Sequence, residues 1–355
     1  METATRRCPF AFFDGREHDL ARPPMRRSDV LLVCQPGGHL SELLALEQLW
    51  CARDRAWFTL HSADTESTLA GERVFYGFGP TPRSLFRLAL NTVVAAVILL
   101  RLRPRWIVTT GAALAVPTAW IGRALGAKTI YIECAGRISG VSLSMRLIAP
   151  VAHSLYVQWP EQEGALKRAR YKGRIARPIL GKAANSGAAN GTRSGPVVAT
   201  VGTTPYPFDR FVELLDQLAA TTPVLLQTGV TKRRARNANT VDFLEPSKLA
   251  QVCAEARAIV THGGVGSVWL AWQAGLRPLV IPRRRALGEN VDDHQLPYVH
   301  RLAELGLVEV VEDLELLRDR VSSEQCASRP LAGDVSKLVL EISALLGEAS
   351  SDAKP

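Results

Sequence analysis

Apolar and polar positions follow two alternating patterns along most of the chain. Short apolar runs rich in β-branched side chains are typical of buried strands, and longer segments with apolar positions three and four apart are typical of amphipathic helices. In the first half, strands are predicted at DVLLVC, RAWFTL, RWIVTT, KTIYIE and SLYVQ, and helices at SELLALEQLW, the Leu85–Leu100 segment, VPTAWIGRALG and SMRLIAP. Strands that alternate with helices predict a parallel α/β domain.

The second half repeats this pattern. Strands are predicted at PVVATVG, PVLLQTG, AIVTHG, RPLVIP and LVEVVE, and helices at FDRFVELLDQLAA, SKLAQVCAEA, SVWLAWQAG and HQLPYVHRLAELG. A last helix, VSKLVLEISALLGE, is expected to pack back across the domains. We therefore predict two α/β domains with a cleft between them, and parallel sheets bind ligands at the carboxyl ends of their strands.

The stretch Gly181 to Gly195 divides the halves, because it lacks large apolar residues and is rich in Gly, Ala, Asn and Ser. The predicted organisation is a tail (1–28), a first domain (29–180), a linker (181–195), a second domain (196–346) and a tail (347–355). Residues 1–28 hold only a very short apolar run, so no signal peptide is predicted.

Composition changes this picture in two ways. The 355 residues carry a net charge of +9, which fits nucleic acid, an anionic membrane surface or an anionic substrate equally well. Six cysteines occur without a CxxC pair, which argues against a disulfide framework and against a zinc site and favours a reducing compartment.

The segment Leu85 to Leu100 is the one membrane candidate in the sequence. Arg87 and Asn91 interrupt it, and it is shorter than a spanning helix of about 20 residues. A buried helix, an interfacial helix and a membrane span all remain open. Arginines bracket it at Arg83, Arg87, Arg101, Arg103 and Arg105. We favour a peripheral contact in which these arginines meet lipid phosphates.

Three stretches of the second half carry candidate chemistry. THGGVGSVW places a run of backbone amides at the start of a helix, which suits a diphosphate, and TVGTTPYPFDR ends a strand in a Gly-Thr-Thr turn. PRRRALGENVDDHQ combines cations with hydrogen-bonding groups suited to a nucleotide sugar. For each stretch, a plain capped turn or solvated loop is the alternative, and a metal site at Asp292, Asp293 and His294 is a minor one.

Two stretches of the first half also carry candidate chemistry. PGGHLSE, from Pro36 to Glu42, follows the first strand and opens a helix. In IYIECAGRISG, Glu133 ends a strand and Arg137 follows a glycine, so both charges are predicted to emerge over the cleft. For Glu133 and Arg137, the alternative is an ion pair between the two side chains. For His39 in PGGHLSE, the alternative is a purely structural role.

Together these stretches resemble a known family of transferases. The first half, through PGGHLSE, TTGAALAVPTAWIGRALGAKTIYIECAGRISG, SLSMRLIAP and YVQWPE, resembles the membrane-associated subunit of the transferase that adds the second N-acetylglucosamine to dolichyl-diphosphate-linked sugar. It is closer still to bacterial exopolysaccharide counterparts of that subunit. The second half, through the three stretches described above, resembles the catalytic subunit. Both halves are similar to family 28 glycosyltransferases.

The resemblance implies a GT-B fold of two facing Rossmann-like domains and inverting transfer from a UDP-sugar to a polyprenyl-diphosphate-linked sugar, with no cofactor or metal. It implies His39 as catalytic base, with Glu133 second, and an acceptor side at Gly37, Gly38 and Arg137. The implied donor residues are Gly202, Thr203, Thr204, His262, Gly263, Gly264, Gly266, Ser267, Arg283, Glu289, Asp293, His294 and Gln295. The expected location is the cytoplasmic face of the cell membrane.

Two departures and several alternatives remain. Many relatives carry an acidic, ribose-binding residue where this chain has Leu270, and residues 1–28 do not supply the spanning helix of the eukaryotic subunit. A UDP-sugar 2-epimerase of the same fold, a nucleic-acid-binding protein and a non-catalytic component of polysaccharide assembly are the competing functions. The donor sugar, the acceptor sugar and a homodimer or other assembly partners stay open, with Arg283 to Arg285 favouring an acidic sugar weakly.

Overall fold

The structure is a computed structural model of the chain. It describes residues 28–79, 84–175, 193–290, 293, 295–323 and 335–351. Most of the predicted linker, residues 181–192, lies outside these ranges, as do Asp292 and His294.

The first domain is built on a seven-stranded sheet in which every pair of neighbouring strands is parallel. Its strands are β1 (Val30–Val33), β2 (Arg55–Leu60), β3 (Val74–Gly77), β4 (Trp106–Thr109), β5 (Lys128–Ile132), β6 (Ser154–Val157) and β7 (Ala169–Tyr171), in the order β3-β2-β1-β4-β5-β6-β7. Its helices are α1 (Gly38–Ala45), α2 (Ala63–Thr68), α3 (Leu85–Leu102), α4 (Ala115–Ala124) and α5 (Leu143–Ile148).

The second domain is built on a six-stranded parallel sheet with the equivalent order, β10-β9-β8-β11-β12-β13. Its strands are β8 (Val197–Thr200), β9 (Val224–Gln227), β10 (Asn239–Val241), β11 (Ala258–Thr261), β12 (Leu279–Val280) and β13 (Glu309–Val310). Its helices are α6 (Asp209–Ala219), α7 (Pro246–Glu255), α8 (Val265–Gln273), α9 (Gln295–Glu304) and α10 (Leu314–Ser322), and α11 (Val335–Ser351) ends the described chain. The predicted class, two parallel α/β domains, is confirmed.

The strands that the sequence pattern missed lie at sheet edges, and helices α2 and α10 are also absent from the predicted elements. Strands β3 and β10 are edge strands with few buried positions, and β7 has three residues. An edge strand faces solvent along one side, so it lacks the continuous apolar run that marks a central parallel strand such as β1, which is buried at all four positions.

The two domains meet at the start of α1 and the start of α8. A Cβ placed on Gly38 would lie 3.4 Å from the Cβ of Val265, and one on Gly266 would lie 3.0 Å from the Oγ of Ser41. Buried apolar side chains of both helices, among them Leu40 and Val268, belong to one continuous cluster. The carboxyl ends of both central strands therefore face one shared cleft.

Helix α11 returns to the first domain, as the sequence pattern predicted. Its Glu341 accepts a hydrogen bond from the hydroxyl of Tyr156 and pairs with Arg170 and Lys172. Leu338 and Ile342 are buried in the cluster that spans the domains. The helix continues to residue 351, beyond the predicted start of the tail at 347.

Candidate active site

The start of α1 forms one wall of the cleft. Gly37 has a φ of 81°, a conformation that favours glycine, and no side chain caps the helix. The backbone N–H of Gly37 donates to Oδ2 of Asp64 at 3.0 Å, and burial raises the pKa of that carboxyl. The amides of the first helical turn therefore point into the cleft without an N-cap side chain.

His39 is held in a defined orientation by the loop after β4. Its Nδ1 lies 3.0 Å from the carbonyl oxygen of Thr110, and the hydroxyl of Thr110 donates to the carbonyl of His39 at 3.1 Å. A carbonyl oxygen can only accept, so Nδ1 carries the proton of the neutral ring. Nε2 is consequently the nitrogen that can accept a proton.

Glu42 lies one turn along the same face of α1 and is fully buried. Its Oε1 accepts from the backbone N–H of Ala135 and the amide of Gln158. Burial raises the pKa of Glu42 to about 8, so the carboxyl is mostly protonated at neutral pH. Its ligand atom lies within 4.8 Å of those of His39 and Cys134.

These three residues form a group that could hold a metal ion. Burial raises the pKa of the Cys134 thiol well above its usual value. An ion there would have to displace the protons of both Glu42 and Cys134, which burial holds in place. The absence of a required metal stays a prediction.

Glu133 does not face the cleft, and that prediction is wrong. Its side chain is 1% exposed, and its two oxygens accept from the backbone N–H groups of Cys134 and Ser142. Burial raises its pKa, although these hydrogen bonds and the charge of Arg137 oppose the change. The carboxylate shapes the loop after β5, because a strand-end position does not fix the direction in which a side chain turns.

On the opposite wall, two glycines make room for His262. A Cβ on Gly202 would lie 2.3 Å from Nε2 of the imidazole, and one on Gly264 would lie 2.3 Å from its Cε1. The ring is 8% exposed. Burial and the charge of Arg283 lower the pKa of His262 to about 3, against the opposing effect of Gln295. The imidazole is therefore neutral and acts as a hydrogen-bonding group.

The start of α8 resembles the start of α1. Gly264 is its N-cap, no side chain caps it, and the hydroxyl of Ser267 donates to the carbonyl of Gly264. A Cβ on Gly37 would lie 3.2 Å from Oγ1 of Thr203. The predicted stretches PGGHLSE, TVGTTP and THGGVGS thus meet at one place, with two uncapped helix starts directed at it.

Two residues that sequence reasoning assigned to the donor belong to the scaffold instead. Arg283 is fully buried and donates to backbone carbonyls at distances between 2.8 and 3.3 Å, those of Val201, Tyr206, Pro207 and Glu289. The carboxylate of Glu289 accepts from the guanidinium of Arg210 and from the backbone N–H of Arg284. Both groups are used to fold the loop after β12, which corrects their predicted contact with the donor.

The remaining predicted donor residues differ in their surroundings. Oδ1 of Asp293 accepts from the backbone N–H of Arg285, which gives Asp293 a place in the same loop. Gln295 lies beside His262 and raises its pKa, and the buried Oε1 of Gln295 forms no well-aligned hydrogen bond with the described residues. Such a group is suited to a ligand hydroxyl.

Comparison with known proteins identifies the two halves separately. Residues 79–175 match the family described as oligosaccharide biosynthesis protein Alg14 like. Residues 197–330 match the glycosyltransferase family 28 C-terminal domain. The chain joins an Alg14-like domain to a family 28 domain. The predicted family resemblance and enzyme class, a glycosyltransferase, are confirmed. No curated protein matches the chain.

Solved structures of low sequence identity share the fold. MurG from Acinetobacter baumannii is 17% identical, with a TM-score of 0.50 over 82% of this chain and 89% of that chain. The glycosyltransferase SnogD from Streptomyces nogalater is 17% identical, with a TM-score of 0.53 over 93% and 96%. UDP-GlcNAc 2-epimerase from Methanocaldococcus jannaschii is 10% identical, with a TM-score of 0.57 over 90% and 99%. The GT-B fold is thereby confirmed.

Sequence reasoning missed three residues of the first domain. Glu42 had a usable signal, since it lies three positions after His39 and so on the same helix face. Asp64 and Thr110 gave none, because their contacts with α1 join residues 27 and 71 positions apart.

The family 28 domain allows a direct test of the His262 pocket. Gly202→Ala is expected to weaken UDP-sugar binding at least tenfold, because the new methyl group would displace the imidazole. Gly306→Ala is the matched control, since Gly306 also has a positive φ, 70°, but nothing lies within 4 Å of its Cβ position. Calorimetric titration with UDP measures the difference. Equal binding by the two variants would contradict the pocket's role.

Proposed function

We propose that the chain transfers a sugar from a UDP-sugar to a sugar carried on polyprenyl diphosphate, with inversion and without a required metal. The glycan is proposed to be an exopolysaccharide or another cell-envelope polymer. The observation that carries this proposal is the pair of uncapped helix starts, α1 and α8, that lie next to each other where the two domains meet at the cleft. The Alg14-like match of the first domain supports an acceptor used in oligosaccharide synthesis.

The start of α8 is the proposed site for the UDP diphosphate. The leaving UDP gains negative charge as the sugar departs, and open amides at a helix N-terminus stabilise such charge. Gly202 lies against His262 and Thr203 lies near Gly37 at this position, and Thr204 is proposed to contact the donor with them. His262 and Gln295 would hydrogen-bond the donor as neutral groups. The start of α1 would meet the lipid diphosphate in the same way.

His39 is the proposed general base. Inversion requires the acceptor hydroxyl to attack from the face opposite UDP and to lose its proton as it does so. His39 lies on the wall opposite α8, and its Nε2 is the proton-accepting nitrogen because Nδ1 donates to Thr110. His39 Nε2 would take the proton, the hydroxyl oxygen would form the new bond to the sugar, and UDP would leave with the electron pair of the broken bond.

A donor screen tests the proposal. Purified protein is incubated with each of several UDP-sugars and with membranes that contain lipid-linked sugars, and products are read by mass spectrometry. One UDP-sugar is expected to extend the lipid-linked acceptor and to release UDP. Turnover of UDP-sugar without any lipid acceptor would instead favour the 2-epimerase, whose fold the chain shares.

The Alg14-like domain has an exposed apolar surface on α3, α4 and α5. Side chains along one stripe of α3 are exposed, namely Leu85, Phe86, Val93, Val97 and Leu100. Trp120 on α4 and Leu143 and Leu147 on α5 are exposed beside them. We call this set the apolar face. These exposed apolar side chains on neighbouring helices support a peripheral contact with the cytoplasmic surface of the membrane.

Helix α3 is long and apolar enough to cross a membrane by length and composition, and 28% of it is buried. Asn91, in the middle of the helix, is fully buried and forms hydrogen bonds with the backbone N–H and carbonyl of Phe78. This attachment to the sheet side of the domain supports a helix that lies against the protein, with only its outer stripe available to lipid.

Removal of apolar side chains at the start of α3 tests the membrane contact. The double variant Leu85→Gln with Phe86→Gln is expected to lower partition onto vesicles at least about 100-fold, because each side chain contributes about 1.5–3 kcal/mol when it leaves water. Leu340→Gln is the control, since Leu340 is 68% exposed but lies on α11. Cosedimentation measures the partition. Equal partition by the two proteins would contradict the assignment of the apolar face.

A further inference from the structure

A group of cationic side chains lies at the amino ends of the strands of the first sheet, opposite the cleft at their carboxyl ends. A cavity of about 210 Å³ opens beside the amino ends of β5 and β6. Its lining comes from the end of α4, the start of β5, the segment between α5 and β6, and the residue directly before β7. The residues that line it are Arg123, Ala127, Lys128, Pro150, Val151, Ala152, His153 and Arg168. This lining contains three permanent cations and a histidine but no carboxylate.

The cationic groups are held in place without being neutralised. One guanidinium nitrogen of Arg168 donates to the carbonyls of Ala152 and His153, both at 3.0 Å. The ammonium of Lys128 lies over the ring of Trp106 at 5.4 Å, and the imidazole of His153 meets that ring edge-on at 5.4 Å. These partners fix the positions of the groups and leave their charge available to a ligand.

The cations of the cavity also act on the imidazole of His153. Burial lowers its pKa, and the charges of Lys128, Arg168 and Arg123 lower it further. The charged groups that shift the pKa of His153 are all cations. Arg123 forms no ion pair with any described residue. A group of cations without counter-charges, of which Arg168 and Lys128 are held in place by their neighbours, is suited to an anion.

The cavity adjoins the apolar face. Trp120 lies one turn before Arg123 on α4, and its indole N–H donates to the carbonyl of Leu147 at 3.0 Å. Leu147 in turn precedes the lining residue Pro150 by three positions. Tryptophan beside exposed leucine is typical of side chains at a membrane interface. A lipid that contacts Trp120 and Leu147 would bring its headgroup to Arg123.

We propose that this cavity binds the phosphate of a membrane phospholipid headgroup. Arg123, Lys128 and Arg168 supply charge-assisted hydrogen bonds to the phosphate oxygens, and the acyl chains lie against Trp120 and Leu147. The site is separate from the cleft, so it holds the domain at the membrane without taking part in sugar transfer. Only the lipid source of the phosphate rests on the proposed membrane contact; anion binding in the cavity does not.

The first arm of the test uses soluble glycerol 3-phosphate as a headgroup fragment. NMR of the histidine side chains is expected to show a saturable shift of the His153 resonance, with His300 on α9 as the internal control. The double variant Arg123→Gln with Lys128→Gln is expected to lose that shift. Lys248→Gln with Arg257→Gln removes the same charge from the second domain and should retain it. The absence of a saturable shift in the unmodified protein would overturn the site.

The second arm identifies the source of the phosphate. Cosedimentation compares vesicles of phosphatidylcholine with vesicles that also contain phosphatidylglycerol. The Arg123 and Lys128 variant is expected to bind the anionic vesicles about 30-fold more weakly, at about 1 kcal/mol for each cation lost, and the control variant within twofold of the unmodified protein. Thermal unfolding confirms that both variants fold. If glycerol 3-phosphate binds but both variants bind vesicles equally, the lipid source is overturned.

Discussion

Replacement of His39 by alanine is expected to lower kcat by about 10²- to 10⁴-fold while KM for the UDP-sugar stays within about twofold. A general base contributes about that factor, and its loss affects the transition state more than the bound donor. The donor is proposed to lie against α8, on the other wall of the cleft, so His39→Ala leaves its contacts unchanged. Initial rates at varied donor concentration measure both constants.

A second substitution separates catalysis from structure. In His39→Asn the side-chain amide nitrogen occupies nearly the position of Nδ1 and can still donate to the carbonyl of Thr110, but no group replaces Nε2. If His39 is the base, the asparagine variant is as slow as the alanine variant. Near-normal kcat in His39→Asn would show that the role of His39 is structural. His61→Ala serves as the control, because His61 is largely exposed and pairs with Glu66.

The central part of the fold could be predicted because buried parallel strands have a distinctive sequence pattern. The runs VLLV in β1 and AIVT in β11 are buried at every position. A short apolar run that is rich in β-branched residues and bounded by turn residues favours a buried strand over a helix. The edge strand β10, Asn239–Val241, has no fully buried position, so its sequence carries no such signal.

The parts of the site formed by glycine turns could be predicted from the sequence. The positions of charged side chains, which depend on packing between distant segments, could not. Gly202, Gly263 and Gly37 have positive φ, and paired glycines between a strand and a helix are visible in the sequence. The position of a charge is different. Glu133 and Arg283 are both buried. Glu133 turns inward to backbone amides one and nine positions ahead of it, whereas Arg283 binds mostly distant carbonyls, and neither arrangement is visible in the local sequence. Arg283, for example, donates to Val201, 82 positions away.

Arg283→Met is expected to destabilise the protein by about 3–5 kcal/mol. The guanidinium binds four backbone carbonyls, lies 4.5 Å from the ring of Phe208 and is near the carboxylate of Glu289, and removal of a buried cation leaves such acceptors without donors. Burial lowers the pKa of Arg283 to about 10, so the group is charged at neutral pH and its partners depend on that charge.

The neighbouring arginine provides the matched control. Arg284 is exposed and its guanidinium pairs with Glu312 at the surface, so Arg284→Met should cost less than about 1 kcal/mol. Denaturant unfolding compares the two variants. If Arg283 is structural, the fraction of Arg283→Met protein that binds UDP should equal the fraction that is folded. Binding should recover at low temperature if the loop refolds. An Arg283→Met protein as stable as Arg284→Met would contradict the structural role of Arg283, and failure of that stable protein to bind UDP would support the original donor assignment.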